Sequence, residues 1–143
     1  MTSDAEDFDA WNNFVMGSQP EDYSPTDSKH SAALAKNYMN GALGGGINSF
    51  LTNSWEFSGQ QVLNSLNFMG AVQAAKQFAD VLERLGVSIL TQTQDERWHL
   101  LDKYWPENVD DSFDMLSDES EKSLMFALEK HVQSNEQFYR TMK

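Results

Sequence analysis

The chain has 143 residues, of which 40% are hydrophobic and 12% aromatic, no cysteine, and a formal net charge of −12. One domain fits that length, and the aromatic content is too high for a disordered acidic chain. The composition excludes disulfides and thiolate sites, and no stretch approaches the ~18 apolar residues that span a bilayer.

The punctuation reads as helix after helix. Ser3 and Glu6 have capping-box spacing, and Phe8, Trp11, Phe14 and Val15 follow on one apolar face up to Gly17. Residues 18–28 hold two prolines and many turn formers, so they read as a linker. The expected division is an acidic N-terminal helix and linker over 1–28, then an all-α body over 29–143. A second helix is predicted over 29–39, with Leu34 and Tyr38 on one face, ending at Asn40-Gly41. Gly44-Gly45-Gly46 opens a short apolar segment to Leu51. Ser58 and Gln61 form another capping box, Val62, Leu66 and Met69 give a stripe, and Gly70 ends that helix.

Val72, Ala75, Phe78, Ala79, Leu82 and Leu85 then repeat at helical spacing to Gly86. Thr93 and Glu96 make a third capping box, and Trp98, Leu101 and Trp105 carry a helix to Pro106, with both tryptophans expected in the core. Residues 107–116 read as an acidic short helix or turn anchored by Phe113 and Leu116. Ser117 is placed to cap a long last helix through Leu124, Leu128 and Val132 to Phe138 and Tyr139. No strand alternation, hairpin signal or internal repeat is visible. The predicted fold is an all-α, single-domain bundle of six to eight helices with a long C-terminal helix. Trp11 is expected to dock back on that bundle, or else against a second copy.

The charge is unevenly placed. Fourteen of the 22 acidic residues fall in residues 1–28 and 104–121, which contain no Lys or Arg, and the remaining 97 residues carry a net charge of +2. Such asymmetry points to a cationic partner and away from anionic lipid and direct nucleic-acid contact, which needs Lys and Arg. Glu107, Asp110 or Asp111, Asp114, Asp118 and Glu121 recur at spacings of three or four. On a continuous helix they share a face with neighbours about 5–6 Å apart. Duplex DNA carries a phosphate every ~3.4 Å of axis per strand, so a helical carboxylate row could imitate a phosphate row approximately. The candidate partner-binding residues are therefore Glu107, Asp110, Asp111, Asp114, Asp118, Glu119 and Glu121, together with Asp4 and Asp7 of the first helix. A second account is also open: the acids solubilise the surface, and Asp118 and Glu119 favour the positive end of the last helix.

Other chemistry finds no constellation. The stretch Asp110–Glu121 lacks the glycine an EF-hand loop needs, so no metal site is expected. The triple glycine lacks the Lys-Ser/Thr of a P-loop and the strand of a dinucleotide fold. It reads as a turn where the backbone needs positive φ or close packing, with Asn53 placed to cap or brace it. His30, His99 and His131 are far apart, and no Gly-x-Ser-x-Gly motif occurs. No catalytic residue and no cofactor is assigned. The absence of cysteine fits a reducing cytosol, although secreted chains also lack it, and the acidic MTSDAEDFDA start is unlike a signal peptide. A cytoplasmic location is expected.

One segment carries a resemblance. Gly45-Gly46-Ile47, Phe50-Leu51, Asn53-Ser54 and Gly70-Ala71, with Ala75 following, resemble a bacterial family named after a DNA-mimic protein. That family's pattern is an Asn-Gly-Gly-aromatic turn, a short aromatic helix, an Asn-Ser, then a helix ending in Gly-Ala. The acidic stretch and the ending Asn135-Glu136-Gln137-Phe138 fit it too, so the resemblance covers roughly residues 30–140. Gly44, Ile47 and Ser49 depart from the family's Asn, aromatic and Gln. The resemblance implies an all-α, acidic, cytoplasmic protein that occupies the DNA-binding surface of a basic DNA-binding protein, and leaves room for a homodimer. An immunity or antitoxin-like inhibitor of a toxic enzyme would use the same electrostatics. An enzyme with an unrecognised site is the remaining class.

Overall fold

The computed structural model describes residues 11, 13–17, 28–53, 59–85, 99 and 114–141. The described residues trace six helices and hold no strand. The helices are α1 (11 and 13–17), α2 (Ser28–Asn53), α3 (Gly59–Phe68), α4 (Val72–Leu85), α5 (Asp118–Ser134) and α6 (Glu136–Thr141). None is long and apolar enough to cross a membrane. Trp98, Trp105 and Phe113, expected as core or anchor residues, lie outside the described residues, as do the caps at Ser3, Ser58 and Thr93.

Four helices close a ring: α2 packs on α3 and α5, and α4 packs on the same two. Residues 31–35 of α2 are all buried, so this part of the helix is enclosed on every side and not on the single face expected from Leu34 and Tyr38, while Leu43 farther along is 49% exposed. Its small side chains, Ala32, Ala33 and Ala35, let the neighbours approach. Tyr38 stands at the centre, edge-on to Phe50 and to Phe78, each 5.1 Å away. Such edge-to-face pairs suit the positive rim and negative face of aromatic rings.

The helix expected to stop at Asn40-Gly41 continues to Asn53 through a kink at Gly46 (φ 94, ψ 170). Gly41 is a packing glycine and not a terminator. A Cβ there would lie 2.8 Å from Cδ1 of Phe50, which folds back from the second arm. At Gly70 (φ 77) the expected stop is present. The N–H of Ala71 donates to the Leu66 carbonyl (3.0 Å) and that of Gly70 to Asn67 (3.1 Å), with Ala71 and Leu66 both buried. This is a Schellman ending with its apolar contact.

In α4 the buried arc is Ala74, Ala75, Phe78 and Val81, while Val72 is 55% exposed. Ala71 takes the inward place just before the helix, which leaves the first helical residue outside. The long last helix is divided at Asn135 (φ −122, ψ 22). The Asn135 side chain donates to the His131 carbonyl at 2.8 Å, competing with the backbone ladder. Trp11 is 3% exposed and packs against Tyr139 (5.1 Å) and His131 (5.8 Å), so α1 docks on the bundle. Asn37 also donates to the Val15 carbonyl, at 3.5 Å.

Candidate functional site

Among the nine acidic candidates, Asp4, Asp7, Glu107, Asp110 and Asp111 lie outside the described residues. The other four do not form one helical row. Asp114 is helical, but Met115, Leu116 and Ser117 are not, and α5 begins afresh at Asp118. Leu116 is buried, as its role of anchor required.

Gln77 of α4 holds this break. Its Nε2 donates to the Met115 carbonyl at 2.8 Å, and its Oε1 accepts the Ser117 N–H at 3.0 Å. Ser117 is extended (φ −69, ψ 159) and its hydroxyl accepts the Ser120 N–H, so the expected N-cap is present. Three serines at intervals of three then form a polar seam on the start of α4. Ser117 donates to the Ser120 hydroxyl (2.9 Å), and Ser120 donates to the Gln73 carbonyl (3.2 Å). Ser123 donates to the Ser120 carbonyl (3.1 Å) and accepts the N–H of Ala74 (3.3 Å). The seam sets the register of α5 on α4. It therefore fixes the direction in which the first turn of α5 projects.

That turn contains Asp118, Glu119 and Glu121. Asp118 and Glu119 are exposed and Glu121 is half-buried. Successive helical residues turn by roughly 100°, so Asp118 and Glu121 share one side while Glu119 faces another. The arrangement is an acidic cap around a helix end, where carboxylates also meet the unpaired N–H groups of the first turn.

Asp114 is placed differently. It is half-buried, and its Oδ1 accepts the Asn48 N–H at 2.8 Å. Its carboxylate lies against Gly46, where a Cβ would meet Oδ2 and would stand 2.8 Å from Cγ. Asp114 thus caps the second arm of α2 from the far side of the sequence. Gly46 carries both requirements expected of the triple glycine, a positive φ and a close approach. A Cβ on Gly45 would lie 2.7 Å from the Ser49 hydroxyl, whereas Gly44 meets nothing within 4 Å. Asn53 is the last residue of α2, and its side chain lies outside the described residues.

The histidines are dispersed. His99 is exposed, and His30 packs beside Phe14 at 4.9 Å. His131 is buried, with Nε2 2.6 Å from the Tyr139 hydroxyl. That pair escaped the sequence reading, although Asn135 and Tyr139 follow His131 at four-residue intervals on one helical side. Among the described residues no three metal-ligating side chains converge. Burial pulls the Lys36 ammonium below its ordinary value and pushes the Tyr38 phenol well above its own.

No protein-family model, curated protein sequence or solved structure matches the chain.

Proposed function

We propose that this chain is an acidic protein-interaction domain that binds a cationic, DNA-binding protein by offering carboxylates in place of phosphates. The observation that carries the reading is the acidic first turn of α5. It presents Asp118 and Glu119 to solvent, follows a stretch from residue 104 that has no Lys or Arg, and is held in place by the serine seam on α4. A charge cluster on a rigid support keeps its spacing when a partner arrives, which lowers the ordering cost of association. The resemblance to the DNA-mimic family adds to this reading. The interruption at Met115–Ser117 narrows it, because Asp114 accepts from Asn48 and, among the described residues of the stretch, the exposed acids are Asp118 and Glu119.

The test is capture of partners from a lysate of the source organism on immobilised protein, eluted by a salt gradient. A single basic DNA-binding protein, released at moderate salt and displaced by duplex DNA, is the expected result. Exposed charges are screened over ~8 Å at physiological ionic strength, so salt must weaken the complex. The variant carrying Asp118→Asn, Glu119→Gln and Glu121→Gln should lose that partner while keeping its helical circular-dichroism spectrum. Unchanged binding by this variant, or a partner that DNA does not displace, overturns the reading. Recovery of a nuclease-like toxin would replace it with an immunity role.

A further inference from the structure

Asn40-Gly41 has the sequence of a turn and the structure of a helix. Asn40 alone among the asparagines of the chain precedes a glycine. The pair lies inside the first arm of α2, whose backbone leaves the helical region only later, at Gly46. Asn40 is exposed, whereas Gly41 is half-buried under Phe50, with a Cβ there standing 2.8 Å from Cδ1 of that ring.

An asparagine followed by glycine can modify itself. The glycine nitrogen attacks the side-chain amide carbon, the bond from that carbon to the amide nitrogen breaks, and ammonia leaves with the proton of the glycine N–H. The product is a cyclic succinimide. Water opens the ring at one carbonyl or the other, giving aspartate, or isoaspartate with the main chain rerouted through the side-chain carbon. Water is the only co-reactant. Glycine favours the step because no Cβ shields its nitrogen. A helix opposes it. The Gly41 N–H is committed to the carbonyl four residues back, that of Asn37, and helical ψ at Asn40 holds the nitrogen away from the line of attack.

We propose that Asn40-Gly41 is a self-modification site, closed while α2 is folded and open once α2 unravels, so that it marks chains that have lost this helix. The two products act differently on the fold. Aspartate leaves the backbone unchanged and stands in solvent, as Asn40 does. Isoaspartate inserts a main-chain carbon directly before Gly41. Gly41 must lie under Phe50, and Phe50 packs edge-on to the central Tyr38 at 5.1 Å. The added atom breaks the helical phase that places Tyr38 and Gly41 against that ring. The isoaspartate chain therefore does not rebuild the bundle, and the mark is one-way. The site draws on α2 alone and needs no partner, so it stands apart from the acidic turn of α5.

Peptide mapping by mass spectrometry tests the proposal, on the whole chain held in mildly alkaline buffer with and without denaturing urea. The folded chain should convert amide to acid at Asn40 at least about tenfold more slowly than the unfolded chain, because reaction runs through the open population of α2. In urea Asn40 should react before every other asparagine. Asn40→Gln, a change at an exposed position, should remove that product and keep the helical circular-dichroism spectrum. Aspartate and isoaspartate chains are then separated and returned to buffer without urea. The first should regain the wild-type spectrum and the second should not. Equal rates in folded and unfolded chains overturn the closed site. Faster reaction at another asparagine in urea overturns the choice of Asn40. An isoaspartate chain that refolds like wild type overturns the one-way mark.

Discussion

The carboxylate of Asp114 accepts the backbone N–H of Asn48 across 66 residues of sequence, at the point where α2 turns on Gly46. The second arm of α2 starts with unpaired N–H groups, as every helix does. Here the acceptor comes from a distant segment instead of the preceding residue. The junction between the two arms of α2 and the approach to α5 is therefore one unit. It joins the triple glycine to the acidic stretch.

Gly46→Ala should be costly and should depend on Asp114. A non-glycine residue at φ 94 is strained, and its methyl group would overlap the carboxylate. A loss of about 3 kcal/mol or more in urea denaturation is expected. Asp114→Ala should cost about 1–2 kcal/mol, the range for a lost cap. In the double variant the two losses should be less than additive, because removing the carboxylate relieves the overlap. Strict additivity would show that Gly46 and Asp114 are independent.

Gly70→Ala should be milder. The position has φ 77, yet nothing lies within 4 Å of the added carbon. The cost is then the left-handed backbone alone, about 1–2 kcal/mol. If thermal unfolding placed Gly70→Ala level with Gly46→Ala, crowding would not be what separates the two sites.

Tyr38 is fully buried, and its hydroxyl has no hydrogen-bond partner among the described residues. Tyr38→Phe removes a desolvated polar group, so stability should stay equal or rise by about 1 kcal/mol. The same residue makes the fold sensitive to alkali. Burial raises the Tyr38 phenol above its ordinary value of 10.0. Its contribution to stability is whole below that value and declines as pH rises beyond it, because the unfolded chain releases the proton first. Denaturant titrations above pH 10 should show wild type losing stability faster than Tyr38→Phe. Parallel curves, or a variant clearly less stable at neutral pH, would contradict this account.

Gln77→Ala should loosen the acidic turn without dismantling the ring. It removes the two hydrogen bonds that hold Met115 and Ser117, at 2.8 and 3.0 Å. A loss of about 1–3 kcal/mol is expected, with amide exchange at Ser117 and Ser120 rising more than in α3. Uniform acceleration along the chain would mean that Gln77 supports the whole bundle.

Much of the fold could be read from local signals. The stop at Gly70, the cap at Ser117, the stripe of Val62, Leu66 and Met69, and the inward Trp11 all follow from periodicity and terminal chemistry. The failures are places where a distant contact overrides a local preference. Gly41 resembles a terminator, but Phe50 needs the space. Asn135 is a local exception: it lies inside an apolar repeat, and its backbone leaves the helical region (φ −122, ψ 22) while its N–H still donates to the His131 carbonyl. The acidic row had the spacing of a helical face, yet Gln77 holds its middle extended, and Asp114 turns to Asn48. Gln77 and the serines carry no motif of their own, because their role exists only once α4 and α5 are side by side.

The docking of Trp11 also has a kinetic side. Through Val15 and Phe14, α1 touches Asn37 and His30 of α2, close along the chain. Through Trp11 it touches Tyr139, near the other end. Closing a loop about six times longer costs roughly 1.5 kcal/mol more in chain entropy. The first contact is thus available early in folding, while the second waits until α5 and α6 are in place. Refolding followed by Trp11 fluorescence quenching against Tyr139 and His131 should report the final closure of the bundle, later than the helix signal.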